Sequence, residues 1–287
     1  MTFEGGYLLL EHGELRLSVD AARGGAIRAF NWRDRSIFRP PPRGAADDAF
    51  ELACFPMVPY ANRIVDGRFR FGTRDVQLQR NRQDEPHPLH GQGWRAPWRV
   101  LDASTSAVTL AFEGGGDEWP WRYRAEQYLQ LQHPALSISL SIRNLAGSPM
   151  PVMLGLHPYF GDAALAQLQA GIPRTWLTDS ACLPLRQVAT PGDWAFDRAR
   201  PVAAVPLDHS FVDWDGAALM LWPDRRVAMR AANCRSLHMY VPPGRDFFCV
   251  EPLSAPAGAL NRGAQEVAVV APGERFAIQV SFEVGAA

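Results

Sequence analysis

A glutamate at the end of an apolar run is the first residue that could do chemistry. Glu251 follows Phe247-Phe248-Cys249-Val250, a pattern typical of a buried strand. A buried carboxylate is costly unless it is paired or used, and burial raises its pKa towards the range in which it can act as a general base near neutral pH. The alternative is a strand-end glutamate on the surface.

A histidine in a second apolar run is the next candidate. His157 lies in the segment Leu154-Gly155-Leu156-His157-Pro158-Tyr159-Phe160, and the proline favours an extended backbone at the histidine. A histidine beside a strand is equally often a core group with its hydrogen bonds satisfied. The residues by themselves leave both interpretations open.

The glycine-rich segment from His87 to Trp94 holds two histidines and a tryptophan. His87 and His90 could be proposed as metal ligands, but no cysteine or third histidine lies nearby and Pro88 is incompatible with a helical register. We therefore predict no metal site, with a structural turn histidine as the alternative for His90. The ring of Trp94 offers a surface on which a sugar can stack.

A fourth polar group follows the apolar turn that begins at Phe55. Asn62 and Arg63 place an amide and a guanidinium next to each other, and both can donate hydrogen bonds to oxygen. A surface arginine beside a capping asparagine is the alternative. Loops that are rich in glycine, proline and aromatic residues, as around all four groups, commonly line a cleft.

The elements that would position these groups are strands. Leu136, Ile138, Leu140 and Ile142 alternate with polar residues, and the same period of two returns from Phe276 to Val284. A less regular copy covers residues 121–131. Turn signals at His12-Gly13, Asp66-Gly67 and Pro272-Gly273 separate such runs.

These patterns predict an all-β fold, a large antiparallel β-sandwich with few short helices, in one domain over residues 1–287. Only the segment from Asp162 to Ala170 has the alanine, leucine and glutamine content of a helix. A parallel α/β fold would need many more helices.

Composition excludes several classes of function. The 287 residues carry a formal net charge of -1, so there is no overall positive field for nucleic acid or an anionic membrane. The chain has no lysine, which excludes Schiff-base chemistry and a P-loop. Since the first ten residues lack a basic region and no apolar run approaches a membrane span, we expect a cytoplasmic protein.

Taken together, five segments resemble the aldose 1-epimerase (galactose mutarotase) family in order and in content, across residues 55–262. They are Asn62-Arg63-Ile64, His90-Gly91-Gln92-Gly93-Trp94, His157-Pro158-Tyr159-Phe160, Leu207-Asp208-His209-Ser210-Phe211, and Glu251-Pro252 with Ala259-Leu260-Asn261 behind it. The resemblance implies a galactose mutarotase-like β-supersandwich and a cofactor-free isomerase that interconverts the α and β anomers of a free aldohexose.

The resemblance also implies roles. Glu251 would be the general base at the C1 hydroxyl, His157 the general acid at the ring oxygen, and His90 a group that holds or polarises that oxygen. Arg63 and Asp208 match residues that bind sugar hydroxyls. The predicted sugar-binding set is completed by Asn62, Trp94 and Tyr159.

Three alternatives remain at this point. Arg80 and Arg82 could bind the phosphate of a hexose 6-phosphate in a hexose-6-phosphate 1-epimerase. Glu251 and Asp208 could serve a glycoside hydrolase, which usually needs two carboxylates. A non-catalytic sugar-binding protein would keep only recognition residues such as Arg63.

The sequence leaves three further points open. They are the identity of the sugar, the choice between monomer and homodimer, and the effect of Ala255, which stands where the family often has a histidine.

Overall fold

Strands dominate the computed structural model, which describes residues 2–4, 6–42 and 48–287. In that part of the chain the strands are β1 (Thr2–Glu4), β2 (Tyr7–His12), β3 (Leu15–Asp20), β4 (Ala26–Trp32), β5 (Arg35–Ser36), β6 (Cys54–Met57), β7 (Arg68–Phe71), β8 (Arg74–Gln77), β9 (Arg99–Ala103), β10 (Ala107–Gly114), β11 (Tyr123–Gln132), β12 (Ala135–Asn144), β13 (Met150–Val152), β14 (Gly155–Gly161), β15 (Gln167–Ala170), β16 (Arg174–Thr178), β17 (Pro184–Ala189), β18 (Arg200–Pro201), β19 (Leu207–Val212), β20 (Ala217–Leu221), β21 (Arg226–Ala232), β22 (Ser236–Val241), β23 (Phe247–Leu253), β24 (Ala268–Val270) and β25 (Arg275–Gly285).

Helical structure is short throughout the described ranges. One α-helix, α1, covers Ala259–Arg262. Single 3₁₀ turns cover Ala49–Glu51, Val65–Gly67, Gly116–Glu118, Gly192–Trp194, Val202–Ala204 and Ala264–Glu266. Among the residues described, no helix is both long enough and apolar enough to cross a membrane.

Two large sheets hold most of the strands. The twelve-stranded sheet has the order β1-β2-β3-β4-β6-β14-β23-β22-β19-β16-β17, with β5 beside β4. The nine-stranded sheet has the order β18-β15-β20-β21-β25-β12-β11-β10-β9. Neighbouring strands run antiparallel, as between β14 and β23 and between β12 and β25. The predicted all-β antiparallel sandwich with few short helices is confirmed.

The predicted period of two sets the faces of the strands. In β12 the four predicted apolar residues, Leu136 to Ile142, are buried, and β25 buries Ile278, Val280, Phe282 and Val284 in the same way. The two large sheets meet through such side chains: the ring centroids of Phe160 in β14 and Phe282 in β25 lie 6.4 Å apart. Since residues alternate between faces, the neighbours of Phe160 in β14 point away from this core.

The helical prediction for Asp162 to Ala170 is wrong. A turn follows β14 there, and Gln167–Ala170 forms β15, which pairs with β20 and β18. Leu168 and Ala170 are buried while Gln167 and Gln169 are exposed. This short period of two, supported by two neighbouring strands, outweighs the helical propensity of the residue types.

Candidate active site

The candidate base and the candidate acid stand opposite each other on adjacent strands. The ladder between β14 and β23 joins Gly155 to Leu253 and Tyr159 to Cys249. That register sets His157 opposite Glu251, and both side chains lie on the face turned away from the second sheet. The distance from His157 Nε2 to Glu251 Oε1 is 3.4 Å.

The same register continues across the sheet as two rows of side chains. The first, which we call the central row, comprises Phe55 in β6, His157 in β14, Glu251 in β23, His238 in β22 and Ser210 in β19. The second row lies two residues further along the same strands and comprises Tyr159, Cys249, Tyr240 and Asp208. Residues from sequence segments far apart therefore meet on one rigid surface.

A cavity of about 700 Å³ opens above these rows, within the usual size range of a small-ligand site. Seven of the eight predicted site residues line it: Asn62, Arg63, His90, His157, Tyr159, Asp208 and Glu251. Its aromatic walls come from Phe50, Tyr159, Tyr240 and Phe247. The cavity therefore combines polar groups with apolar rings, as a sugar site requires.

Glu251 is 1% exposed, and its carboxylate is incompletely satisfied. Oε1 faces His157, and Oε2 has no hydrogen-bond partner among the described residues. Burial raises the pKa of Glu251 to about 7, although the positive charge of His238 acts in the opposite direction. Near neutral pH this carboxyl can therefore both accept and release a proton.

His157 is buried between aromatic rings. The centroids of Phe55 and Tyr159 each lie 4.6 Å from its imidazole. Burial lowers the pKa of His157 to about 3, with a further lowering from the charge of His238. Without a ligand the ring is therefore neutral near pH 7, and its Nδ1 has no partner in the described structure.

His90 has one defined tautomer. The main-chain N–H of Asn62 donates to His90 Nδ1 over 3.0 Å, so Nδ1 carries no proton. Burial lowers the pKa of His90 well below its usual 6.5, and the ring is neutral with its proton on Nε2. His90 can therefore offer a hydrogen-bond donor to an oxygen in the cavity.

The glycine after His90 allows this arrangement. Gly91 has φ +74°, and a Cβ atom there would lie 2.3 Å from the carbonyl oxygen of Val58. Only glycine permits that close approach of the two chain segments. The segment that carries His90 is thereby held against the segment that leads to Asn62.

Arg63 and Asp208 form the polar side of the cavity. Arg63 donates through Nε and Nη2 to the carboxylate of Glu85, at 3.1 and 2.8 Å, and its Nη1 lies 3.9 Å from Asp208 Oδ2. Burial raises the pKa of Asp208, but the hydrogen bond and charge of His238, together with Arg63, lower it to about 2. Asp208 is therefore a carboxylate that can accept hydrogen bonds from sugar hydroxyls.

Trp94 differs from the other predicted site residues because it does not line the cavity. It is 4% exposed, its indole N–H donates to the carbonyl of Leu89 over 3.2 Å, and its ring packs edge-on against Phe50 at 4.7 Å. Phe50 takes the position on the cavity wall. The predicted stacking surface is thus one layer behind the wall.

His238 lines the cavity and was not predicted from the sequence. Its Nε2 lies 3.0 Å from Asp208 Oδ1, and its Nδ1 lies 3.0 Å from Ser210 Oγ. Burial acts to lower the pKa of His238, but Glu251 and Asp208 outweigh it and raise the pKa above 6.5. The sequence signal was slight: one histidine in an alternating strand immediately before the strand of Glu251.

The arginines suggested for a phosphate are in different positions. Arg82 lines the cavity, but its guanidinium already contacts Asp48 at 2.9 Å and Asp84 at 2.6 Å. Arg80 does not line the cavity; it donates to the carbonyl of Gln83 over 3.3 Å. Neither guanidinium presents an unmatched charge to a ligand in the cavity.

One group in the described part of the chain has the residue types of a metal site. His157, Cys249 and Glu251 bring one ligand atom each to within 4.8 Å of one another. Burial raises the pKa of the Cys249 thiol well above 9.0, so without a bound metal it stays protonated near neutral pH. His87 is not in this group, and its Nδ1 accepts the N–H of Asp66 over 3.0 Å.

Known proteins match this chain along nearly its whole length. The family model described as aldose 1-epimerase matches residues 7–283. The uncharacterized protein YphB of Escherichia coli (strain K12) is 31% identical over 294 residues, which span 96% of this chain and 97% of that protein.

Solved structures share the fold. A crystal structure from Escherichia coli K12, provisionally described as an aldose 1-epimerase, has a TM-score of 0.91 at 28% identity and covers 98% of this chain and 99% of its own. Galactose 1-epimerase from Lactobacillus acidophilus NCFM has a TM-score of 0.83 at 17% identity, with coverage of 98% and 94%. At that lower identity the likeness concerns the fold alone.

Proposed function

This chain belongs to the aldose 1-epimerase family, and from that premise we propose that it interconverts the α and β anomers of a free aldohexose. The observation that carries the proposal is the opposed pair of Glu251 and His157, 3.4 Å apart at the base of a cavity with aromatic walls. Anomer exchange needs one group that takes a proton and one that gives a proton, on the same sugar.

The proposed reaction has two symmetrical halves. Glu251 takes the proton of the C1 hydroxyl, the C1 carbonyl forms, and the bond from C1 to the ring oxygen breaks as that oxygen receives a proton from His157. Rotation about the bond from C1 to C2 turns the other face of the carbonyl towards the hydroxyl. Reclosure with the two roles reversed returns both protons and leaves the opposite anomer.

Proton counting defines the active state of this pair. With the pKa of Glu251 at about 7 and that of His157 at about 3, the pair holds one proton between them across most of the acid range. One proton shared by two groups supplies one acid and one base. Before a sugar binds, the proton is on Glu251. Its transfer over 3.4 Å to His157 produces the carboxylate base and the imidazolium acid that the reaction requires.

Other residues bind the sugar in this proposal. The Nε2–H of His90 donates to the ring oxygen and stabilises the negative charge that develops there. Asp208 and Arg63 bind hydroxyl groups, while Phe50 and Tyr159 cover the apolar face of the ring. Asn62 acts through its main-chain N–H, which orients His90.

Polarimetry tests the proposal. Freshly dissolved α-D-glucose and α-D-galactose are followed at near-neutral pH and low buffer concentration, with and without the protein. We expect faster mutarotation, and Glu251→Gln or His157→Ala should remove most of the enhancement, of the order of 10²–10⁴-fold. The exposed His12, the last residue of β2, supplies the control His12→Ala, which should keep the wild-type rate.

Folded protein that accelerates neither sugar would contradict the proposal for free aldohexoses. Binding of those sugars without acceleration would indicate a sugar-binding protein. Hydrolysis of aryl glycosides would instead indicate a glycoside hydrolase that uses Glu251 with Asp208.

A further inference from the structure

His238 has no role in the proton transfers above, yet both nitrogens of this buried ring are engaged. It lies in the central row between Glu251 on one neighbouring strand and Ser210 on the other. Nε2 contacts Asp208 Oδ1 and Nδ1 contacts Ser210 Oγ, each at 3.0 Å. The ring is 4% exposed, although it forms part of the cavity wall.

We propose that His238 is a positioning residue of this site: a buried imidazolium that joins the sugar-binding carboxylate Asp208 to the catalytic carboxylate Glu251 and holds both in their working state. The inference builds on the proposed function. The positive charge of His238 favours the ionised form of Glu251, and its Nε2–H donates the hydrogen bond that orients Asp208.

The hydrogen bonds are compatible with a ring that carries protons on both nitrogens, and the two carboxylates beside the ring favour that state. The carboxylate of Asp208 can only accept, so Nε2 must donate. Ser210 Oγ accepts the N–H of Ala257 over 3.0 Å; towards His238 Nδ1 its hydroxyl can accept a hydrogen bond from a protonated nitrogen or donate one to a bare nitrogen. A cation between two carboxylates is favoured electrostatically, whereas a neutral ring would leave Glu251 without a close positive charge.

The charged groups around Glu251 support the same assignment. From β14, His157 is neutral near pH 7, and the neighbouring Cys249 in β23 keeps its proton. From β19, Asp208 is negative and opposes ionisation of Glu251. The positive charges that favour the ionised form of Glu251 are His238, directly opposite in the register, and Arg63, which is already matched by Glu85.

The arrangement of Ser210, His238 and Asp208 could suggest a hydrolytic triad. Ser210 is 2% exposed, and its hydroxyl lies behind His238, where it accepts the N–H of Ala257. A nucleophile must reach its substrate. The three residues therefore form a support for the cavity wall.

The state of the ring can be measured without any activity. Nitrogen-15 NMR of the histidine side chains, with the His238 signals assigned by their loss in His238→Gln, reports how many ring nitrogens carry a proton. We expect both to be protonated at pH 7, where a free imidazole is mostly neutral. A ring with one bare nitrogen at pH 7 would overturn the proposal, whatever the enzyme assay shows.

The pH profile of His238→Gln tests the effect on the catalytic pair. Loss of the positive charge should move the alkaline limb of kcat/KM upwards by about one pH unit, because Glu251 then holds its proton more tightly. At pH 7 we expect KM to rise about tenfold, since Asp208 loses a charge-assisted hydrogen bond. If His238 had a purely structural role, His238→Gln would lower the rate at every pH without shifting the alkaline limb of the kcat/KM profile. That result would contradict the inference.

The neighbouring histidine of β19 provides a matched control. His209 is half-buried, stacks on Trp194 at 4.3 Å and does not line the cavity. His209→Gln should leave both the alkaline limb of the pH profile and KM unchanged.

Where His238→Gln folds poorly, His238→Ala with added imidazole gives a second test. Recovery of the rate below the pKa of imidazole supports the proposal, and failure of folded His238→Ala to recover contradicts it.

Discussion

The main-chain N–H of Asn62 donates to Nδ1 of His90 over 3.0 Å, and this contact decides which nitrogen of His90 faces the cavity with a proton. A main-chain N–H does not titrate, so it is always the donor in this contact. The neutral ring of His90 therefore keeps its proton on Nε2. Asn62 itself has φ +61°, an unusual conformation for a residue other than glycine. The local strain thus coincides with the residue that orients His90.

Replacement of His90 by phenylalanine keeps an aromatic ring, of somewhat larger size, and removes both the Nε2–H donor and the acceptor of the Asn62 N–H. We expect kcat to fall by about 10²–10³-fold, the usual effect of losing one donor to a developing oxyanion, with a smaller change in KM. Steady-state polarimetry measures both constants. Near-wild-type kcat for His90→Phe would exclude His90 from stabilisation of the ring oxygen.

The pH dependence of kcat/KM follows from the shared proton of Glu251 and His157. As pH rises through about 7, Glu251 loses the last proton of the pair, no acid remains, and the rate should fall. The acid limb, set by His157, should lie near pH 3 and therefore outside the convenient range. Rates that rise through pH 7 to a plateau would show that His157 is not the acid.

Substitutions at Trp94 and Phe50 separate the two rings. Trp94→Phe should leave KM within about twofold and reduce the free energy of unfolding by roughly 1 kcal/mol, because the hydrogen bond to Leu89 is lost. Phe50→Ala should raise KM severalfold, since this ring lines the cavity. Urea denaturation and polarimetry supply the two measurements. A large rise in KM for Trp94→Phe would restore the direct sugar contact predicted from the sequence.

Chelation tests the role of metal. Dialysis against EDTA should leave the rate unchanged, because acid–base exchange by His157 and Glu251 requires both side chains free of metal and Cys249 stays protonated. Loss of activity on dialysis, with recovery on addition of Zn²⁺ and no recovery in Cys249→Ala, would instead place a metal on these three residues.

The sequence predicted the architecture well because strand periodicity is a local property. The alternation in β12 and β25 could be read directly, and the motifs around His157 and Glu251 selected two residues that the structure places opposite each other at the cavity. The helix predicted at residues 162–170 failed because propensity ignores the strands that flank β15.

Two differences between the predicted site and the observed cavity lining have a common cause. His238 belongs to the site only through cross-strand register with Glu251 and Ser210, which a linear pattern does not contain. Trp94 was predicted to bind the sugar because of its residue type, whereas in the structure Phe50, from a segment with no recognised motif, packs against Trp94 and lines the cavity. Which of two nearby aromatic rings is outermost depends on packing and cannot be deduced from spacing.

The division between central row and cavity rim bears on how such a protein can change its specificity. The proposed reacting groups, His157 and Glu251, lie on β14 and β23 in the middle of a large sheet, and the register of that sheet fixes their positions. Much of the rim comes from connecting segments, which carry Phe50, Arg63, Arg82 and Arg245. Under the proposed function, substitutions or insertions in those segments would exchange one sugar for another without disturbing His157 and Glu251, so new substrates would be accessible to evolution at little risk to folding.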